Sequence, residues 1–139
     1  MKKILVAALI GLTFTGCGDE KQQEKTLLDS VIKIHDKVMG NDERLMKNKM
    51  KVDTLLKTKL TVADTAAAKA MLMGLNIQLT EAEDGMEKWM EKFDPEKKDK
   101  SHQDYMNYLG DQKNKIMSID STMNAAITAS SKYLQQVSQ

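Results

Sequence analysis

Cysteine, proline and aromatic residues are scarce in this 139-residue chain, and each shortage narrows what it can be. A single cysteine allows no internal disulfide and no cysteine-rich metal cage. One proline and an aromatic content of 4% fit a helical protein better than a sheet protein, since strands favour aromatic and β-branched residues. Charge of one sign is lacking too: 21 basic residues face 20 acidic ones, interleaved, so no basic face for nucleic acid is expected. The longest apolar run, from Ile4 to Phe14, is about half the roughly 20 residues that a membrane-spanning helix needs. Catalytic signatures are missing as well: there is no glycine-rich phosphate loop, no zinc-type His/Cys spacing and no G-x-S-x-G elbow. His35 and Asp36 are neighbours in sequence and point about 100° apart on a helix, so they form no dyad by themselves. A non-enzymatic chain without a catalytic cofactor is expected.

The one cysteine has a telling position. Lys2-Lys3, the apolar run to Phe14, and Thr15-Gly16-Cys17 form the n-region, h-region and small-residue cleavage site of a secretory signal. Cys17 stands where bacterial lipoproteins carry the thiol that is acylated before cleavage. Residues 1–16 are therefore read as a signal peptide, and Cys17 as a lipidated (palmitate-bearing) anchor. Residues 17–24 read as a polar, disordered tether, and 25–139 as the helical domain. Gly18 follows the cysteine, in place of the aspartate that retains many proteobacterial lipoproteins at the inner membrane. Asp19-Glu20 resembles the acidic export signal of Bacteroidota lipoproteins, which implies the outer membrane and display on its surface.

Beyond the tether the pattern is helical throughout. Leu27, Val31, Ile34, Val38, Leu45, Val52 and Leu55 follow steps of four and three, with Asn41 and Asn48 in the two skipped positions. Ala68, Leu72, Leu75, Leu79, Ala82, Met86, Trp89 and Phe93 continue the same rhythm, as do Tyr105, Leu109, Gln112, Ile116, Ile119, Met123, Ala126, Ser130 and Tyr133. Spacing near 3.5 residues predicts helices packed along shallow seams. Gly40-Asn41-Asp42 should kink or break the first helix, Pro95 should end the second, and Ser101 should cap the third. A capping box at Thr61–Asp64, or Asp64-Thr65, should open the second helix. The expected fold is all-α: an elongated up-down-up antiparallel three-helix bundle with coiled-coil-like packing. Self-association is the alternative, with Leu28, Ile32, Leu56, Ile77 and Ile127 in a subunit interface.

Eleven methionines require an explanation. With turns near residues 62–63 and 97, His35 falls level with Met90, Met39 with Met86, and Trp89 with Tyr105. Met90 then lies near His102–Asp104. His35, Met39, Met86, Met90 and Met106 could gather beside Trp89, and thioethers with imidazole suit Cu(I) or Ag(I). The competing explanation is that methionine fills core gaps and packs against aromatic rings. A groove for a lipid or peptide is a third use.

Three segments carry a family resemblance: Ile34-His35-Asp36-Lys37-Val38-Met39, Trp89-Met90-Glu91-Lys92-Phe93-Asp94-Pro95, and Tyr108-Leu109-Gly110-Asp111-Gln112-Lys113-Asn114-Lys115-Ile116. They are similar to the I-H-D-x-V-M, W-M-x-x-[FY]-x-P and Y-L-x-x-Q-x-x-K-I segments of small Bacteroidota lipoproteins often labelled "viral A-type inclusion protein". Family members often have proline after V-M, where this chain has Gly40. The resemblance implies a helical lipoprotein and assigns no activity, but it marks His35, Asp36, Met39, Trp89 and Met90 as signature positions. The expectation is a membrane-anchored envelope lipoprotein, a non-enzymatic binding or structural module with an envelope protein as partner. The alternative is a soft-metal binding protein built on the His/Met/Trp cluster.

Overall fold

A computed structural model describes residues 16–58 and 65–137. The signal segment up to residue 15 and the Thr61–Asp64 capping box lie outside the described residues, as do the side chains of residues 16 and 17. Four helices follow in order: α1 (Gly16–Met39), α2 (Asp42–Lys57), α3 (Ala66–Lys92) and α4 (His102–Val137), with no strand among the described residues. The protein is an all-α helical bundle in which α4 packs on α1, α2 and α3, and α2 also packs on α3.

α1 and α2 are one arm with a bend. The Gly40 N–H still bonds to the Asp36 carbonyl at 3.0 Å, but the Asn41 N–H reaches only three residues back, to Val38, at 2.9 Å. That tightening ends α1, and Leu45 N–H to Asn41 carbonyl begins α2. Contacts with α4 keep step across the bend. Lys37 meets Asp120 at 2.6 Å, Asn41 meets Asn124 at 3.3 Å and Asn48 meets Ser131 at 2.8 Å, each pair 83 residues apart.

The polar stretch before residue 25 needs a correction. It was expected to be a disordered tether, yet α1 runs through it from Gly16. Glu, Gln and Lys are good helix formers, and Glu24 is buried against the rest of the bundle, which gives this turn a tertiary anchor.

The core follows the three seams. Val31, Val38, Leu45 and Val52 are buried from the first arm, with Leu72, Leu75, Leu79, Ala82, Met86 and Trp89 from α3. From α4 come Tyr105, Leu109, Ile116, Met123 and Ala126, joined by Ile127 and Leu134. Ile127, assigned from sequence to a possible subunit interface, is therefore a core residue. Ile32 and Ile77 are exposed, as that assignment required.

The helix ends have local causes. The Thr65 hydroxyl accepts from Ala68 N–H at 3.1 Å and starts α3. The Ser101 hydroxyl accepts from Asp104 N–H at 3.1 Å and donates to the Asp104 carboxylate at 2.6 Å, starting α4. α3 stops at Phe93, whose ψ of 121° is extended, two residues before Pro95.

One polar layer crosses the seam. Asn48 Nδ2 lies 2.9 Å from Ser130 Oγ, 2.8 Å from Ser131 Oγ and 3.3 Å from the Ile127 carbonyl. Removing it deletes a buried donor to three acceptors, whereas removing an exposed apolar side chain deletes no hydrogen bond. Urea unfolding should show Leu79→Ala losing about 2–5 kcal/mol and Asn48→Ala about 1–3 kcal/mol. Ile77→Ala should stay within about 0.5 kcal/mol.

Candidate functional site

The three signature segments converge at one end of the bundle. His35 comes from the last turns of α1 and Trp89 from the last turn of α3. Their ring centroids are 5.8 Å apart at an interplanar angle of 33°. Trp89 stacks on Phe93 at 4.6 Å, Phe93 lies 6.5 Å from Tyr108, and Tyr108 lies 6.5 Å from Tyr105. Offset and tilted rings at such spacings attract beyond their buried area. The result is a ladder from α1 through α3 to α4.

The ladder also holds the Phe93–Ser101 connection. Asp94 N–H donates to the Tyr108 hydroxyl at 2.9 Å, and the Tyr105 hydroxyl donates to the Pro95 carbonyl. The Asp94 carboxylate accepts from Glu96 N–H at 3.0 Å and pairs with Lys98. The hydrogen bond from Lys98, followed by the one from Glu96 N–H, holds the Asp94 carboxyl below the usual carboxylate range. Lys98 itself turns the chain with φ at 48°, and Lys100 sits 5.2 Å above the Tyr108 ring.

Glu24 closes this end. One carboxylate oxygen accepts from Lys97 Nζ at 2.6 Å and from His102 Nδ1 at 2.8 Å. These two hydrogen bonds, Lys97 first, pull the Glu24 carboxyl below its ordinary value. Burial pushes the Tyr105 phenol up, and the negative charge of Glu24 adds to the shift.

The expected metal cluster is only partly assembled. His35 and Trp89 are in contact, as the register between the first arm and α3 required. Met86 is buried in the core, while Met39 and Met90 are exposed. Asp36 is exposed and its carboxylate lies 3.0 Å from His35 Nδ1. Met106 is elsewhere: it lines a surface depression with Gln22, Thr26, Leu27 and Ser30 of α1. Trp89 instead shares a cavity of about 380 Å³ with Gln112, Lys115, Ser118 and Ile119 of α4.

The expected level of Trp89 with Tyr105 is thus corrected: Trp89 lies beside Gln112–Ile119 of α4, one to two heptads further along. The cause is the non-helical segment after α3, which starts extended at Phe93. An extended residue advances roughly twice as far as a helical one, so α4 begins well beyond the end of α3. Among the described residues no group of three or more His, Cys, Asp or Glu is arranged to hold a metal ion.

Sequence reasoning missed the Glu24–Lys97–His102 clamp. Its signal was present: Glu24 lies one heptad before Val31, in the seam continued by Val38 and Leu45. Reading the polar stretch as a tether hid it. The Trp89 indole N–H is buried and has no hydrogen-bond partner among the described residues. No family model, curated protein or solved structure matches the chain.

A lowered folded-state carboxyl value contributes stability above the ordinary carboxylate range, and that contribution is lost as pH falls through the folded value. Glu24→Gln should therefore lower the melting temperature most near neutral pH. Its difference from the parent should close as pH falls through the lowered folded-state value of Glu24, below which both side chains are neutral. Paired thermal melts across that range test the clamp.

Proposed function

We propose that this chain is a membrane-anchored envelope lipoprotein acting as a non-enzymatic binding or structural module. The observation that carries this reading is Cys17 at the end of a lysine-led apolar leader. Acylated at Cys17, the chain is held to a membrane by lipid, and no described helix is long and apolar enough to cross one. The acidic Asp19-Glu20 pair supports the outer membrane, with the bundle facing outward. Convergence of the three signature segments on one aromatic ladder supports kinship with the small Bacteroidota lipoproteins named above. An up-down-up course with coiled-coil-like seams is supported by the constant 83-residue offset between the first arm and α4. The partner is another envelope protein, met by the long helical surface, or a second copy of the chain.

Expression in a host with lipoprotein processing tests the anchor. The mature protein should begin at a diacylated Cys17 by mass spectrometry and fractionate with membranes. Cys17→Ser should abolish the lipid mass and, because acylation precedes cleavage, leave residues 1–16 attached; a parent protein that carries no lipid mass at Cys17 would refute the anchor.

The ring contact between His35 and Trp89 favours a second reading, soft-metal binding by His35, Met39, Met86 and Met90. Cu(I) or Ag(I) titration under reducing conditions should then quench Trp89 emission at one equivalent. His35→Ala should weaken binding at least tenfold. Unchanged emission, or equal affinity in the variant, removes this reading.

A further inference from the structure

Methionine is normally an interior residue, yet here it is a surface residue. Ten methionines fall within the described residues, and only Met86 and Met123 are buried. Seven are exposed: Met39, Met46, Met50, Met71, Met73, Met90 and Met117, at 37% to 60% of full accessibility. The core does not require them, because valine, leucine and isoleucine fill most of its positions.

Their placement argues against a single docking patch. Met71 and Met73 are two residues apart on α3, which separates them by about 200° around the helix. Met46 and Met50 share a face of α2, and Met117 stands on α4. One partner surface cannot cover all of these directions. What the seven positions share is access to water.

We infer that these side chains form an expendable oxidant-consuming layer. The reactant class is a two-electron oxygen-transfer oxidant such as hypochlorous acid. In the net step a thioether sulfur gains an oxygen and loses two electrons. The O–Cl bond breaks, chloride leaves, and the hydroxyl proton passes to water. The product, methionine sulfoxide, is polar and is returned to thioether by methionine sulfoxide reductases, one for each epimer. On an exposed helical face the new S=O is hydrated and disturbs no packing. At Met86 or Met123 it would sit in a closed apolar core, so those two are reached only when the bundle opens. The fold therefore divides nine of its ten described methionines into a sacrificial set and a protected set, with Met106 half-buried between them. This division is independent of the lipid anchor, and the test is run metal-free because Met39, Met86 and Met90 are also the candidate soft-metal ligands.

The test uses the full chain carrying Cys17→Ser, because a free thiol would compete for the oxidant. Hypochlorous acid is added in small steps, followed by intact mass, peptide mapping, far-ultraviolet circular dichroism and Trp89 emission. The expected result is oxygen on the seven exposed methionines before Met86 or Met123, with helicity and Trp89 emission unchanged. Reductases for both epimers should restore the starting mass. A variant with leucine at all seven sites, checked for helicity, should consume correspondingly less oxidant and protect a co-incubated methionine-dependent enzyme less well. Loss of helicity at partial oxidation overturns the inference. So does equal oxidation of Met86 and Met123 with the exposed set, or equal protection by the leucine variant.

Discussion

A seam of valine, leucine and isoleucine can slide past another by one heptad and still bury apolar surface, because every heptad looks much like the next. What gives this thin bundle a single register is a set of directional contacts that do not repeat. Asn48 finds Ser130 and Ser131 only at one setting of the first arm against α4. Lys37 with Asp120 and Asn41 with Asn124 demand the same setting on the other side of the bend. A buried amide left without acceptors costs more than its bonds are worth when made, so the alternative registers are raised above the native one.

The candidate site depends on that register. Were α4 displaced by a heptad, Tyr108 would lose Phe93 and the Asp94 N–H, and Tyr105 would lose the Pro95 carbonyl. Glu24 would lose His102. The aromatic ladder and the Glu24 clamp are therefore consequences of packing elsewhere, and they in turn fix the Phe93–Ser101 connection. The two ends of the chain's chemistry also meet here. Glu24 belongs to the turns of α1 that follow Cys17, so a lipid on that cysteine would leave the aromatic end of the bundle nearest the membrane. The exposed methionines, by contrast, are spread over α1, α2, α3 and α4 and owe nothing to the register beyond pointing outward.

Much of this was legible in the residues. Helix periodicity named nearly every core position because burial in a bundle selects the face, and the face is written in spacings of three and four. Gly40-Asn41, Pro95 and Ser101 marked boundaries because their backbone and capping preferences act locally. The contact of His35 with Trp89 could be read because the assumed level of the first arm against α3 brings these two residues together.

The sequence by itself determined the helical class, the seams and the bend, since each rests on local preference or on periodic burial. Only the tertiary structure decided the level of α4 against α3. That level depends on how far a non-helical connection travels, and composition does not encode distance. It likewise decided that Met106 sits apart from Trp89, that Ile127 is interior, and that Glu24 belongs to the bundle. Each of these is set by partners distant in the chain, and a residue's own neighbours carry no record of them.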